Sequence, residues 1–354
     1  MRLRWLTICC ALITVMIYGC SLDDSSPTSV AEDDISALPS SDADNTSDED
    51  DAGAVAQADV AAPGSDTAVP GDGISIEQIS VGDFVFDARV AGPADGELVL
   101  MLHGFPQTSL EYEAQLIALA DAGYRAVAPN QRGYSPGAQP PEESSYRIEF
   151  LVEDVLGMAD ALGADTFHLV GHDWGAMVAW AVAIEFPERL KSLATISVPH
   201  PQPFLEASQN PESCQKAASS YFDLLITPGS ELIILANDAA QLKGFYAGLP
   251  QHHIDDYVAV LSEGDTLKYA INWYRANLGA NTPEEQFGPT AAPTLFVWST
   301  DDTAICDDAP YKTMDYCTGP YEFLVLEDID HWIPENAADA LNKALLKHLA
   351  AHGD

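Results

Sequence analysis

The sequence predicts an α/β fold built on a mostly parallel, doubly wound sheet, and three observations lead to this class. Short apolar strands alternate with helices from about residue 76 to 199, and again after 291. Between 167 and 183 a strand, a sharp turn and a helix follow one another directly. From about 200 to 290 the alternation gives way to a helical, aromatic-rich stretch. Alternating strands and helices are typical of parallel sheets, whose carboxyl ends carry the functional loops.

The individual elements follow from the hydrophobic pattern. Residues 81–90 alternate between apolar and polar and predict a hairpin. The run 98–102 is apolar throughout, which is typical of a strand buried on both faces of a sheet. The remaining predicted strands are 125–128, 167–170, 193–198, 294–298 and 321–326, and the predicted helices are 110–122, 146–162, 176–183 and 337–348. An insertion between two strands would lie as a cap over their carboxyl ends.

The segment Gly171-His172-Asp173-Trp174-Gly175 is the centre of this pattern. It matches the nucleophile elbow, in which two glycines let a strand and a helix approach closely and the residue between them points into the cleft. Here that residue is Asp173. A carboxylate can attack an sp³ carbon and form an ester that water then opens, so the motif indicates alkyl transfer. The alternative is an aspartate that only caps the helix.

The first twenty residues predict export. Arg2 and Arg4 precede an apolar run, 5–19, that is too short to cross a bilayer comfortably. The run ends at Cys20 in a sequence that resembles the lipobox of bacterial lipoproteins, which implies a lipid-modified Cys20. Tyr18 is atypical in that motif, so ordinary signal-peptide cleavage and an uncleaved anchor remain alternatives. We expect an exported protein, either membrane-anchored or periplasmic or extracellular.

The chain is extremely acidic, with a net charge of −40. This charge argues against nucleic-acid partners and against docking on anionic lipid headgroups. Residues 21–75 hold fourteen Asp and Glu and no Lys, Arg or His. Low hydrophobicity with charge of one sign predicts a disordered tether, or a solvated leader with no specific role. The predicted organisation is an export segment at 1–20, a tether at 21–75, a core at 76–199 and 291–354, and a cap at 200–290.

Three cysteines lie beyond the export segment: Cys214, Cys306 and Cys317. Disulfides persist in the oxidising compartments that exported proteins reach. Cys306 and Cys317 flank a short segment, so we expect them to form a disulfide and leave Cys214 as a free thiol. The alternative is three unpaired thiols.

Five motifs in this order carry a resemblance to a known family. They are His103-Gly104-Phe105-Pro106, Arg132-Gly133-Tyr134-Ser135, Gly171-His172-Asp173-Trp174-Gly175, Asn272-Trp273-Tyr274-Arg275 and Asp330-His331-Trp332. Over residues 76–350 the chain resembles the epoxide hydrolases of the α/β-hydrolase fold, with haloalkane and haloacetate dehalogenases as near relatives. The fold's order of nucleophile, acid and histidine assigns Asp173 as nucleophile and His331 as general base. The resemblance favours Asp302 as the acid, with Asp301 as the alternative.

The resemblance also implies the remaining site residues. The backbone N–H groups of Phe105 and Trp174 would form the oxyanion hole. Tyr274 and Tyr221 match the two cap tyrosines that donate a proton to the opening epoxide. His103 is expected to be structural and to hold its loop. The apolar side chains expected to line the substrate pocket are Phe105, Trp174, Phe204, Phe222 and Trp332.

The expected activity is hydrolysis of an uncharged epoxide to a vicinal diol, with no cofactor and no metal. A hydrolytic dehalogenase that uses the same Asp173 ester is the alternative enzyme. Phe105 offers no side-chain donor for a halide, and Trp174 and Met177 stand where haloacetate dehalogenases carry arginines, which disfavours an anionic substrate. A non-catalytic binding protein on this fold is a third hypothesis.

Overall fold

A sheet of eight strands organises the structure, a computed structural model that describes residues 73–278 and 287–353. The strands are β1 Ser75–Val81, β2 Phe84–Ala91, β3 Leu98–Leu102, β4 Arg125–Pro129, β5 Phe167–His172, β6 Leu190–Ile196, β7 Thr294–Ser299 and β8 Tyr321–Leu326. Their order across the sheet is β1-β2-β4-β3-β5-β6-β7-β8. β1 and β2 pair antiparallel, β2 joins β4 antiparallel, and the other neighbours are parallel. The predicted fold class is therefore confirmed.

Several predictions fall on residues that the structure does not describe. The export segment, Cys20 and residues 21–72 of the acidic tether lie outside the described residues. Residues 279–286 of the predicted cap lie outside them as well. Within the described residues, no helix is both long enough and apolar enough to cross a membrane.

Helices cover both faces of the sheet and also form the insertion after β6. In chain order they are α1 Glu113–Asp121, α2 Ile148–Ala161, α3 Trp174–Glu185, α4 Pro201–Gln209, α5 Gln215–Ala218, α6 Phe222–Ile226, α7 Ser230–Ile234, α8 Ala236–Phe245, α9 Gln251–Leu261, α10 Thr266–Asn277, α11 Ile333–Asn336 and α12 Ala338–His352. The helices α4 to α10 lie between β6 and β7, and we call them the cap helices. Two predicted helices begin late, because 3₁₀ turns occupy Ser109–Tyr112 and Glu143–Tyr146.

The apolar run of β3 shows why the sheet has a core on each face. Leu98, Leu100 and Leu102 pack in one cluster with side chains of α2 and α3. Val99 and Met101, which point the other way, pack in a second cluster with side chains of α1 and α12. Successive residues of a strand face opposite sides, so a strand with helices on both sides must be apolar throughout.

The predicted Cys306–Cys317 disulfide is wrong. The structure joins Cys214 to Cys306, with a Cα–Cα distance of 6.0 Å, and leaves Cys317 as a half-buried free thiol. The start of α5 lies against the loop that follows β7. There Gln215 Nε2 donates to Ala304 O at 2.8 Å, and Cys306 N donates to Gln215 Oε1 at 2.9 Å. These contacts bring Cys214 to Cys306 although 92 positions separate them in sequence.

Candidate active site

Asp173 stands at the apex of the turn between β5 and α3, with φ 50° and ψ −119°. Two glycines make this turn possible. A Cβ on Gly171 would lie 2.3 Å from the Gly175 carbonyl oxygen, and a Cβ on Gly175 would lie 1.9 Å from the Leu102 oxygen. A Cβ on Gly104 would lie 2.5 Å from the Asp173 Cβ. Glycine at these three positions therefore lets β3, β5 and α3 meet closely enough to present the Asp173 side chain.

The Asp173 carboxylate is buried between a backbone donor and an imidazole. Phe105 N donates to its Oδ1 at 2.8 Å, and its Oδ2 lies 3.5 Å from His331 Nε2. Burial alone would raise the pKa of Asp173, but hydrogen bonding to His331 and the positive charge of that imidazole bring the pKa below its ordinary value. Trp174, the other predicted backbone donor, is the first residue of α3, so its N–H lies at the positive end of that helix.

His331 lies between two carboxylates, since its Nδ1 is 2.8 Å from Asp302 Oδ2. The other Asp302 oxygen accepts from the backbone N–H groups of Ala304 and Ile305 at 2.8 and 2.9 Å. Burial would lower the pKa of His331, but the charges of Asp302 and Asp173, with their hydrogen bonds, raise it well above its ordinary value. Of the two acid candidates, the structure brings Asp302 to the histidine, whereas Asp301 is exposed.

Tyr221 and Tyr274 both reach this site from the cap. Tyr274 lies in α10, and Tyr221 lies in the turn just before α6. Their rings pack edge to face, with centroids 6.4 Å apart. Burial raises the pKa of both phenols well above the ordinary value, and the negative charge of Asp173 raises it further. Both tyrosines therefore remain neutral, with protons to donate.

Aromatic rings enclose the space around the two tyrosines. The Tyr274 ring centroid lies 5.1 Å from those of Phe105 and Trp174, and 5.4 Å from that of Phe222. Trp332 packs on His331, with ring centroids 5.2 Å apart. The site thus gathers four of the five predicted pocket residues. The fifth, Phe204, packs instead against the separate apolar cluster that contains Val198 and Phe296.

His103 is expected to be structural and to hold its loop, and its contacts with Gln131 do so. His103 Nε2 accepts from Gln131 N at 3.1 Å, and Gln131 Nε2 donates to the His103 carbonyl oxygen at 2.6 Å. Burial lowers the pKa of His103 to about 4, so the ring is neutral near pH 7 and can accept that bond. The Phe105 N–H that faces Asp173 follows two residues later on the same loop.

Sequence reasoning missed a buried carboxyl group next to the site. Glu111 Oε2 accepts from Gly104 N at 3.4 Å and lies 3.3 Å from His172 Nδ1, while His172 Nε2 donates to the His331 carbonyl oxygen at 3.0 Å. Burial raises the pKa of Glu111 well above its ordinary value, and the charge of Glu335 raises it further. A protonated Glu111 can donate to His172 Nδ1, so the chain of bonds supports the backbone of His331. No local sequence signal marks Glu111.

Comparisons with known proteins agree with this fold. A family profile for the alpha/beta hydrolase fold matches residues 97–338. The AB hydrolase superfamily protein YfhM of Bacillus subtilis is 28% identical over 286 residues, which cover 78% of this chain and 99% of that protein. Epoxide hydrolase 4 of Mus musculus is 30% identical over 268 residues, covering 73% of this chain and 74% of that protein.

Solved structures give the same result. One, from work on novel epoxide hydrolases in metagenomes from hot environments, superimposes with a TM-score of 0.71 and 26% identity. It covers 78% of this chain and 99% of its own. The chain therefore belongs to the alpha/beta hydrolase fold family, and within that family epoxide hydrolases are among its relatives.

Proposed function

We propose that the protein hydrolyses an uncharged epoxide to a vicinal diol through an ester on Asp173. The observation that carries this proposal is the pair of neutral hydroxyls, Tyr221 and Tyr274, beside a buried, ionised Asp173. A carboxylate that attacks an epoxide carbon breaks the ring C–O bond and leaves an alkoxide. A phenol that hydrogen-bonds to the ring oxygen supplies the proton that this alkoxide needs.

In the first step, an Asp173 oxygen would form a bond to the epoxide carbon, the ring C–O bond would break, and a tyrosine proton would pass to the released oxygen. The product is a hydroxyalkyl ester of Asp173. In the second step, His331 would take a proton from water, and the hydroxide would attack the Asp173 carbonyl carbon. Phe105 N, already 2.8 Å from Oδ1, would stabilise the oxyanion, with the Trp174 N–H as the second donor. Its collapse breaks the ester C–O bond, and the released alkoxide takes the proton of the re-formed Asp173 carboxyl group to give the diol. The tyrosinate left by the first step regains its proton from the His331 imidazolium, which thereby becomes the neutral base.

The charges around His331 support the order of these two steps. Both Asp302 and Asp173 raise its pKa in the resting enzyme, where an imidazolium pairs with the Asp173 carboxylate. Formation of the ester removes the charge of Asp173 but leaves that of Asp302. The pKa of His331 must then fall, and the imidazole becomes available as a base for the second step. Asp302 continues to fix its tautomer and to stabilise the imidazolium that forms.

The surroundings of Trp174 favour an epoxide over an alkyl halide. A dehalogenase needs N–H donors that are free to hold the leaving halide. Here the Phe105 side chain has no donor, and the Trp174 ring packs against the Tyr274 ring, with centroids 5.1 Å apart. The aromatic lining and the net charge of −40 also disfavour anionic substrates. Measuring halide release from chloroalkanes beside diol formation from epoxides distinguishes the two enzymes.

Isotope labelling tests the mechanism. In a single turnover with excess enzyme in ¹⁸O-water, the oxygen added to the substrate should come from Asp173, so the diol should be mostly unlabelled and the peptide containing Asp173 should gain the label. In a His331→Gln variant the first step should proceed and the second should stall. Intact-mass spectrometry should then find an adduct of one substrate mass at Asp173. Labelled diol in the first turnover, with no adduct, would overturn the ester mechanism.

We also propose that the protein is exported and anchored through a lipid on Cys20. The proposal rests on the charged start, the short apolar run and the cysteine that ends it. Membrane fractionation of cells that express the full chain or a Cys20→Ser variant tests it. The variant should leave the membrane fraction, and a wild-type protein that stays in the cytoplasm would contradict the proposal.

A further inference from the structure

A cluster of metal-binding side chain types lies away from the catalytic residues. His252 Nε2 and His253 Nε2 lie 3.4 and 3.5 Å from the same carboxylate oxygen, Glu113 Oε2. One ligand atom from each of the three residues lies within 4.8 Å of the others, which leaves room for a single shared ion. In the described part of the chain, only one other group has this spacing, and two of its members, Cys214 and Cys306, form the disulfide.

The three residues come from two parts of the fold. Glu113 is the first residue of α1 on the sheet, whereas His252 and His253 lie in the first turn of the cap helix α9. Neighbouring residues on a helix normally diverge, yet these two rings have centroids 4.4 Å apart and reach the same oxygen. The cluster therefore spans the contact between the cap and the core.

The His253 ring is oriented by groups on its other nitrogen. Its Nδ1 lies 3.4 Å from the Tyr257 hydroxyl and 3.9 Å from Glu335 Oε1, and both partners are buried. A histidine that ligates a metal through one nitrogen commonly has a carboxylate or other oxygen near the second nitrogen, which fixes the ring and raises its basicity. This arrangement aims His253 Nε2 at the point shared with His252 and Glu113.

We propose that Glu113, His252 and His253 bind a divalent cation of the zinc type, and that the ion joins the cap to the core. Two imidazole nitrogens and one carboxylate oxygen form a donor set typical of Zn²⁺, with a fourth position left for water. A cation held between this carboxylate oxygen and the two imidazole nitrogens would lie close to all three donor atoms. The strongly acidic chain also raises the local concentration of cations.

An ion at this position is connected to the active site. Glu335, which lies beside His253, accepts from Gln107 Nε2 at 2.6 Å. Gln107 follows Phe105 by two residues, on the loop whose N–H faces Asp173. Glu335 itself lies in α11, four residues after His331. The ion would thus fix the cap helix α9 against the two loops that carry the oxyanion donor and the histidine.

Calorimetric titration of the full-length chain with Zn²⁺ tests the proposal. Excess Ca²⁺ in the buffer occupies sites made of carboxylates alone, which zinc would otherwise share. We expect one zinc ion per chain, and a zinc affinity at least about tenfold weaker in Glu113→Gln and in the double variant His252→Gln/His253→Gln. The matched control is His352→Gln, at a half-exposed histidine on α12, which should bind zinc as the wild type does.

Two further measurements distinguish loss of the zinc site from misfolding of the variants. Zinc should raise the melting temperature of the wild type and of His352→Gln, but not that of the double variant. Zinc should also protect His252, the exposed member of the cluster, from modification by diethyl pyrocarbonate in the unaltered protein. Wild-type affinity in the double variant, absence of zinc binding to the wild type, or equal modification of His252 with and without zinc would each overturn the proposal.

Discussion

Removal of the Cys214–Cys306 disulfide should cost more stability than its position on the surface implies. Cys214 is exposed and Cys306 is half-buried, so replacing both by alanine removes little packing. The crosslink, however, closes a loop of 92 residues between the cap and the core. In the chain-entropy model such a loop lowers the entropy of the unfolded chain enough to stabilise the fold by about 4–5 kcal/mol. The double variant Cys214→Ala/Cys306→Ala should lose stability of that order.

Equilibrium urea unfolding of the double variant and the wild type, followed by tryptophan fluorescence and circular dichroism, provides the test. The slope of the unfolding free energy against urea should also rise in the variant, because an unfolded chain without the crosslink exposes more surface. A reducing agent should lower the unfolding free energy of the wild type to that of the variant and leave the unfolding free energy of the variant unchanged.

The free thiol of Cys317 supplies the control. Had Cys306 paired with Cys317, the loop of about 11 residues would contribute just under about 3 kcal/mol, and Cys317→Ala would lose it. With Cys317 unpaired, that variant should lose only the packing of one half-buried side chain, about 1 kcal/mol. Burial raises the pKa of this thiol to about 12, so it should react with alkylating reagents slowly until the protein unfolds. A double variant as stable as the wild type would refute the reasoning, as would a Cys317→Ala variant that loses about 3 kcal/mol.

Three further predictions concern the proposed chemistry and the elbow. Tyr274→Phe should reduce epoxide turnover by roughly 100-fold, and the double change with Tyr221→Phe should nearly abolish it; wild-type turnover in the double variant would contradict the role of the phenols. In stopped-flow measurements, hydrolysis of the ester should slow as the pH falls through the pKa that His331 has in the ester, because the imidazole must be neutral. That pKa is lower than in the resting enzyme, where the charge of Asp173 helps to raise it. Ester formation should persist until Asp173 is protonated, below its ordinary pKa of 3.8; a loss of both steps over one pH range would refute this order. Gly175→Ala should destabilise the fold by about 3 kcal/mol or more in thermal unfolding, because the added Cβ would meet the Leu102 oxygen. The control is Gly244→Ala, in open space on α8, which should be neutral or slightly stabilising.

Local sequence patterns were sufficient to predict the fold and the elbow at Asp173, and the family resemblance chose most of the other residues that meet at the site. The run 98–102 is apolar because both faces of β3 are covered, and the glycines flanking Asp173 reflect contacts within one turn. Asp302 and Asp301 could not be separated by pattern alone. The structure separates them, since the backbone N–H groups of Ala304 and Ile305 hold the Asp302 carboxylate toward His331.

The features that the sequence did not predict all depend on contacts between distant segments. The Cys214–Cys306 disulfide requires the start of α5 to lie on the loop after β7, which no local pattern specifies. The carboxyl of Glu111 meets His172 across 61 positions, and Glu113 meets His252 across 139. Each of these side chains belongs to a helix or turn in which it would be unremarkable on its own. Their partners can be identified only in the folded chain, where distant segments of the core and the cap are in contact.

The glycines around Asp173 also determine where the substrate range of this enzyme can change. At Gly104, Gly171 and Gly175 a single added carbon would overlap a neighbouring atom, so the half of the site built on the sheet tolerates almost no variation. The facing half comes from the cap, where Tyr221 and Phe222 are only half-buried on short helical turns. A change in substrate size or shape therefore has to come from the cap. Libraries directed at Phe222 and its cap neighbours would search the positions that are free to vary while Asp173 stays in place.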